Sequence, residues 1–265
     1  MTGASPRNET PNSDKSTHRS VEKAMAVLEA FSDGHARRVG DVAEAAGLSQ
    51  STTSRLLATL EAGGFVERDP FTTLYFLGSE LLTLAGVTVN QNPVHRASRQ
   101  IAQELASTLG LGVNVAILRG TELVYLCNFE GRDSPKSHTL MGQRVPIHAT
   151  SIGKAVLPGL HHAARTSLFP LTAFTAETIT EPSALEAEAS LVSRRGFATE
   201  YEEFVLGRAS IAAPIFNQLS RTVGAVSISG PRTVIDLEHR EAELGRAVIE
   251  TADRISSGLG YNGPA

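Results

Sequence analysis

Two sets of polar and charged side chains stand out in this 265-residue chain. The first is Gln50, Ser51, Thr52, Ser54 and Arg55, at the head of "SQSTTSRLLATLEAGG". On a helix with Leu56, Leu57 and Leu60 turned inward, Gln50, Ser51, Ser54 and Arg55 point outward. Gln pairs with adenine edges, Arg with guanine or phosphate, and Ser and Thr with bases or phosphates. Free N–H groups at the helix start favour a phosphate. That face therefore reads as a DNA reader, with the solvated surface of a protein-binding module as the competing reading. The second set lies in the C-terminal half. Ser227 and Ser229 are two apart in "TVGAVSISG", as are Arg208 and Ser210 in "GRASIAAPIF", so each pair shares one face of a strand. Thr150 and Ser151 open the helical pattern "SIGKAVL", where the dipole favours an anion, and Glu200 closes a strand before "YEEF". Such a group would hold a carboxylate by charge-assisted hydrogen bonds and let Glu200 accept from a hydroxyl. Backbone-bonded strand hydroxyls, and a surface ion pair of Arg208 with Glu202 or Glu203, are the structural alternatives.

Other reactive groups form no pattern. His138, His148, His161, His162 and Cys127 lack metal-ligand spacing, so neither a metal nor a cofactor is expected. There is no P-loop or dinucleotide fingerprint, and "SISG" does not match a nucleophile elbow. Catalysis is not expected. Lys154 reads as a helix-surface charge, and Glu202 and Glu203 as solvated.

The elements that must position these groups follow from periodicity. Residues 1–17 are polar and read as a disordered tail. Residues 18–78 read as three helices and a hairpin. Val21, Ala24, Met25, Leu28 and Phe31 mark the first helix face; Val39, Val42, Ala43 and Ala46 mark the second. Gly47 supplies the turn into the third helix, Ser49 its N-cap, and Gly63 and Gly64 its stop. "FVERDPFTTLYFLG" is the hairpin, and the whole is a winged helix-turn-helix. Residues 79–92 form a linker helix whose Leu81, Leu82 and Ala85 lack a home, which implies a partner helix. Residues 93–260 alternate helices with strands in a larger α+β domain.

Bulk properties narrow the class. Hydrophobic residues make up 41% of the chain, enough for real cores, and the net charge of -4 gives no global basic field. Through Gly78 there are 8 Lys/Arg against 10 Asp/Glu, so DNA binding would need a few well-placed cations. Arg19, Lys23, Arg37, Arg38, Arg55 and Arg68 are available for that. A single cysteine, no membrane-length apolar run and no signal-peptide core point to a cytoplasmic protein with no membrane partner.

From about His18 the chain resembles the IclR family of bacterial transcription regulators. The resemblance rests on "RSVEKAMAVLEAF", "LSQSTTSRLLATLEAGGFVERD", "YFLGSELL", "VPIHATSIGKAVL", "GRASIAAPIF" and "AVSISGP", in order over some 240 residues. It implies a winged helix-turn-helix, a linker helix and a C-terminal GAF-like effector-binding domain. It also implies homodimers, often paired into homotetramers, on palindromic double-stranded operator DNA. The effector pocket of that family falls on the positions of Ser151, Ile152 and Glu200, with Arg208, Ser210, Ser227 and Ser229. Three departures stand out: Gln50 and Ser54 replace basic residues, "FTTLYF" replaces a Gly-rich basic wing, and "GRAS" moves the arginine one position earlier. The expectation is a repressor or activator that senses a small organic acid (hydroxy, keto or hydroxybenzoate-like) and controls a catabolic operon. An enzyme acting on a small acid, and an interaction module without DNA, are the alternatives.

Overall fold

The computed structural model describes residues 13–134 and 140–263, and the chain divides into two compact units, Met1–Thr88 and Val89–Ala265. The first unit holds helices α1 (Ser13–Glu29), α2 (Val39–Ala45) and α3 (Gln50–Ala62), followed by strands β1 (Val66–Arg68) and β2 (Tyr75–Leu77). Helix α1 starts five residues inside the segment expected as a tail; the earlier part of that segment lies outside the described residues. Val27, Phe31, Val42, Leu57, Val66 and Tyr75 form the core. The stripe on α1 is therefore centred on Val27, not on the face read from sequence: Val21 and Met25 lie on its flank, 56% and 57% exposed. Gly47 takes φ +64°, a conformation that suits glycine, and so turns α2 into α3. Ser49 then caps α3 by accepting from the Thr52 N–H.

Helix α4 (Glu80–Gln91) buries none of its residues, and the boundary between the two units falls within it. The second unit continues with α5 (Pro93–Leu109), β3 (Gly112–Arg119), β4 (Glu122–Phe129), β5 (Arg144–Val145) and a single helical turn, α6 (Ser151–Lys154). It ends with α7 (His162–Thr166), α8 (Pro182–Arg195), β6 (Ala198–Tyr201), β7 (Arg208–Phe216), β8 (Thr222–Pro231), α9 (Arg232–Ile235) and α10 (Leu237–Gly258). The strands make an antiparallel sheet in the order β5-β4-β3-β8-β7-β6.

Period-two alternation decides which face each residue meets. Val113, Val115, Ile211, Ala213, Val226 and Ile228 pack with Ala102, Leu244 and Val248 of α5 and α10. Ala116, Ala212 and Ala225 face the other way, into a second core with Ile152, Leu157 and Leu185. The polar residues of the second set share parity with these alanines. Register then aligns them: Asn114 opposes Ser227, Ser229 opposes Ser210, and Ser210 opposes Glu200. A polar row thus crosses four neighbouring strands, β3-β8-β7-β6, on the face that carries α6.

Candidate functional site

Helix α3 presents the first set as its phase requires. Gln50, Ser51, Ser54 and Arg55 are exposed, Thr52 is half-buried, and Leu57 is buried. Thr53, unremarked in the sequence, is fully buried and donates to the Ser49 carbonyl at 3.1 Å. Ser49 Oγ donates to Thr52 Oγ1 at 2.9 Å, which spends part of Thr52's hydrogen-bonding capacity on the cap. Of the expected cations, Arg19, Arg38 and Arg55 are exposed, whereas Arg37 is half-buried and paired with Asp33. At the hairpin tip Asp69 accepts from the N–H groups of Phe71 and Thr72, and the Phe71 ring is left 93% exposed.

The second set converges. Glu200, Arg208, Ser210, Ser227 and Ser229 line a cavity of about 520 Å³ with Thr150, Ser151 and Ile152. Ser151 Oγ donates to Ser210 Oγ at 2.7 Å, and Ser210 Oγ donates to Glu200 Oε2 at 2.8 Å. Glu200 Oε1 accepts from the backbone N–H groups of Glu203 at 2.9 Å and Phe204 at 3.4 Å. Burial holds the Glu200 carboxyl above its ordinary value, against the opposing pull of Ser210 and those N–H groups. Arg208 is half-buried; its Nη2 donates to Ser134 Oγ at 3.4 Å, and it forms no ion pair with an acid among the described residues. The surface-pair alternative fails because its would-be partners are taken: Glu202 pairs with Arg232 at 2.8 Å and Glu203 with Lys154 at 2.6 Å.

Thr150 is at the wall, but its hydroxyl caps α6, accepting from the Gly153 N–H at 3.1 Å and donating to Pro146 O at 2.8 Å. With α6 only four residues long, its dipole contributes little, and the pocket's donors come from the sheet. Gly153 is needed here: a Cβ would sit 2.5 Å from the Ile147 backbone. Lys154, the next residue, points inward, which corrects the surface reading. Lys154 is 2% exposed, with Glu203 at 2.6 Å and Glu188 at 3.6 Å. Glu203, expected in solvent, is also buried; burial holds its carboxyl above the ordinary value, and Lys154 opposes that shift.

Among the described residues, ten that line the cavity escaped the sequence reading, four of them polar: Asn114, Tyr125, Gln143 and Arg144. Asn114 is 2% exposed and donates through Nδ2 to Ser227 Oγ at 3.3 Å and Ser229 Oγ at 3.1 Å. Its signal was there: one amide in the apolar strand "GVNVAIL". The Tyr125 phenol also lines the cavity, its pKa pushed up to about 12 by burial and the neighbouring Glu200, against Arg208.

The pocket pairs the Arg208 guanidinium with neutral donors and a carboxylate-anchored hydroxyl chain, and its second cation, Arg144, is held by Glu122 at 3.2 Å. That equipment suits recognition: Ser151 and Ser210 have no imidazole beside them to act as base. Among the described residues no group of three His, Cys, Asp or Glu side chains could hold a metal ion, and no helix is long and apolar enough to cross a membrane. The Cys127 thiol is buried, which pushes its pKa up to about 11.

Residues 86–257 match the family model for the C-terminal domain of bacterial IclR transcriptional regulators, and residues 20–70 match that for the IclR helix-turn-helix domain. The chain is 30% identical over 250 residues to the HTH-type transcriptional regulator XynR of Escherichia coli (strain K12), covering 92% of this chain and 98% of that one. It is 32% identical over 250 residues to the glycerol operon regulatory protein of Streptomyces coelicolor, covering 91% and 96%. The crystal structure of an IclR-type transcriptional regulator from Silicibacter sp. TM1040 superposes with a TM-score of 0.78 at 27% identity, covering 92% and 98%.

Proposed function

The chain belongs to the IclR family of transcriptional regulators, and on that premise we propose that its second unit senses a small organic acid and its first unit reads operator DNA. It is a DNA-binding regulator; its similar proteins are named as regulators, which favours this role over catalysis. The observation that carries the acid reading is the pocket's pairing of Arg208, which has no acidic partner among the described residues, with Ser227 and Ser229 on the neighbouring strand. A carboxylate there gains a charge and neutral donors at once. The Ser151–Ser210–Glu200 chain favours a hydroxyl elsewhere on the ligand, and Ile152 supplies apolar contact. Aliphatic hydroxy or keto acids and hydroxybenzoate-like acids meet this description. The naming of one relative after the glycerol operon is consistent with control of a catabolic operon.

On the DNA side, the exposed Gln50, Ser51, Ser54 and Arg55 support placing α3 in the major groove, with Thr52 beside them and Arg19 and Arg38 on phosphates. The Asp33 pair leaves Arg37 a weaker candidate for that work. Helix α4 exposes Leu82, Leu84 and Val87 by 71%, 46% and 49%, which supports self-association into a homodimer and from there a tetramer. An acid that binds one arrangement of the dimer better would bias the spacing of its two DNA-reading helices. The test is calorimetric titration with pyruvate, lactate and 4-hydroxybenzoate, each beside its primary amide. Tighter binding of at least one acid than of its amide supports the reading; equal or tighter binding of the amides refutes it.

A further inference from the structure

Resting on the acid-sensing reading, we propose that Asn114 is the positioning residue that makes the pocket select carboxylate over carboxamide. Proton direction sets the preference. An ionised carboxylate only accepts, so Glu200 forces Ser210 to donate to it, and the Ser210 oxygen then receives the Ser151 proton. The lone pairs left on Ser151 make this side of the pocket an acceptor. At the β3–β8 side the order is reversed. The Asn114 Nδ2 group only donates, and it bonds to the oxygens of both Ser227 and Ser229. Neither serine hydroxyl donates to an acceptor among the described residues, so both protons remain to offer a ligand. A carboxylate accepts both. A carboxamide presents an NH2 face that meets two O–H donors, which leaves its own donors unmatched.

Strand register fixes this arrangement. Asn114 is directly opposite Ser227 across the β3–β8 pair and shares its face. Its burial keeps water from substituting for the amide as donor. Glu200 lies three strands away in the same row, about 14 Å across at the usual strand spacing. The two anchors are thus separated, and each sets the proton direction on its own side.

Two variants test this against the acid–amide pairs above, with folding followed by urea unfolding. Asn114→Asp keeps shape but accepts instead of donating, so Ser227 and Ser229 should turn their protons to it and show lone pairs to the ligand. The acid preference of the parent, about tenfold or more for a charge-assisted contact, should then invert in favour of the amide. Asn114→Ala frees the hydroxyls to turn either way, and the preference should shrink toward unity without inverting. In a Ser227→Ala/Ser229→Ala background, Asn114→Ala should cause no further change in preference. A merely structural role would weaken acid and amide alike and leave their ratio untouched. An unchanged ratio in Asn114→Ala, or a further change in the serine-free background, overturns the assignment to Asn114 while leaving acid sensing intact. A parent protein that prefers amides overturns both.

Discussion

Replacing Arg208 with alanine isolates the charge that the acid reading depends on. Arg208 is half-buried on β7, and its one side-chain hydrogen bond among the described residues is the 3.4 Å contact to Ser134 Oγ. No acid is paired with it among the described residues, so its removal orphans no buried carboxylate. The unfolding midpoint in urea should therefore stay close to the parent's. The ligand bears the loss. A hydrogen bond to a charged group contributes about 1.5–3 kcal/mol, so acid affinity should fall roughly 10- to 150-fold. The matching amide, which lacks the charge, should lose far less. Isothermal calorimetry at fixed ionic strength reads both numbers on one protein preparation. Equal losses for acid and amide would mean that Arg208 acts by shape alone, and an unchanged acid affinity would remove it from the binding contacts.

Three further outcomes follow from other parts of the structure. Arg55→Ala should weaken binding to a selected DNA duplex by about 1–3 kcal/mol without changing thermal stability; parental binding in a mobility-shift titration would take α3 out of the groove. Lys154→Met strips the buried Glu203 of its cation, while Glu188 keeps Arg195 at 3.5 Å, and should cost about 3–5 kcal/mol in urea unfolding, with a loss under 1 kcal/mol contradicting the buried pairing. Glu200 has a folded pKa raised above 4.5, so its contribution to stability is fully present below that value and is lost as pH rises through the folded pKa. The stability of the parent relative to Glu200→Gln should thus decline from pH 4.5 toward neutral, and a difference that does not vary with pH would mean that the carboxyl is not strained by burial.

Local chemistry made some features legible in the sequence. Gly47 and Ser49 announce a turn and a cap, and the leucines of α3 fix the outward phase of Gln50 and Arg55 whatever the rest of the chain does. The strict period of a strand likewise put Ser227 with Ser229 and Arg208 with Ser210. Features that depend on distant partners were not legible. Lys154 looked like a surface charge because its partners, Glu188 and Glu203, are 34 and 49 residues away in the chain. Asn114 looked like an isolated amide because its register with Ser227 spans 113 residues. On α1 the periodicity found a stripe but not its centre, since Val21 and Met25 are as apolar as the buried Val27. The brevity of α6 was hidden too: "SIGKAVLPGL" reads as one helix, yet the α-helix stops at Lys154 and a 3₁₀ turn takes over at Leu157.

A small acid in the pocket and a DNA duplex on α3 should compete or cooperate for the same protein. The direct measurement is the dissociation constant for a duplex selected from a random pool, taken with and without a saturating acid from the panel, together with the acid's own affinity with and without the duplex. Linkage requires both constants to change by the same factor, and allosteric couplings of this kind are typically about 5- to 150-fold. Equal factors in that range are expected for an acid, and no change for its amide. DNA affinity indifferent to every acid that binds the pocket would contradict the coupling.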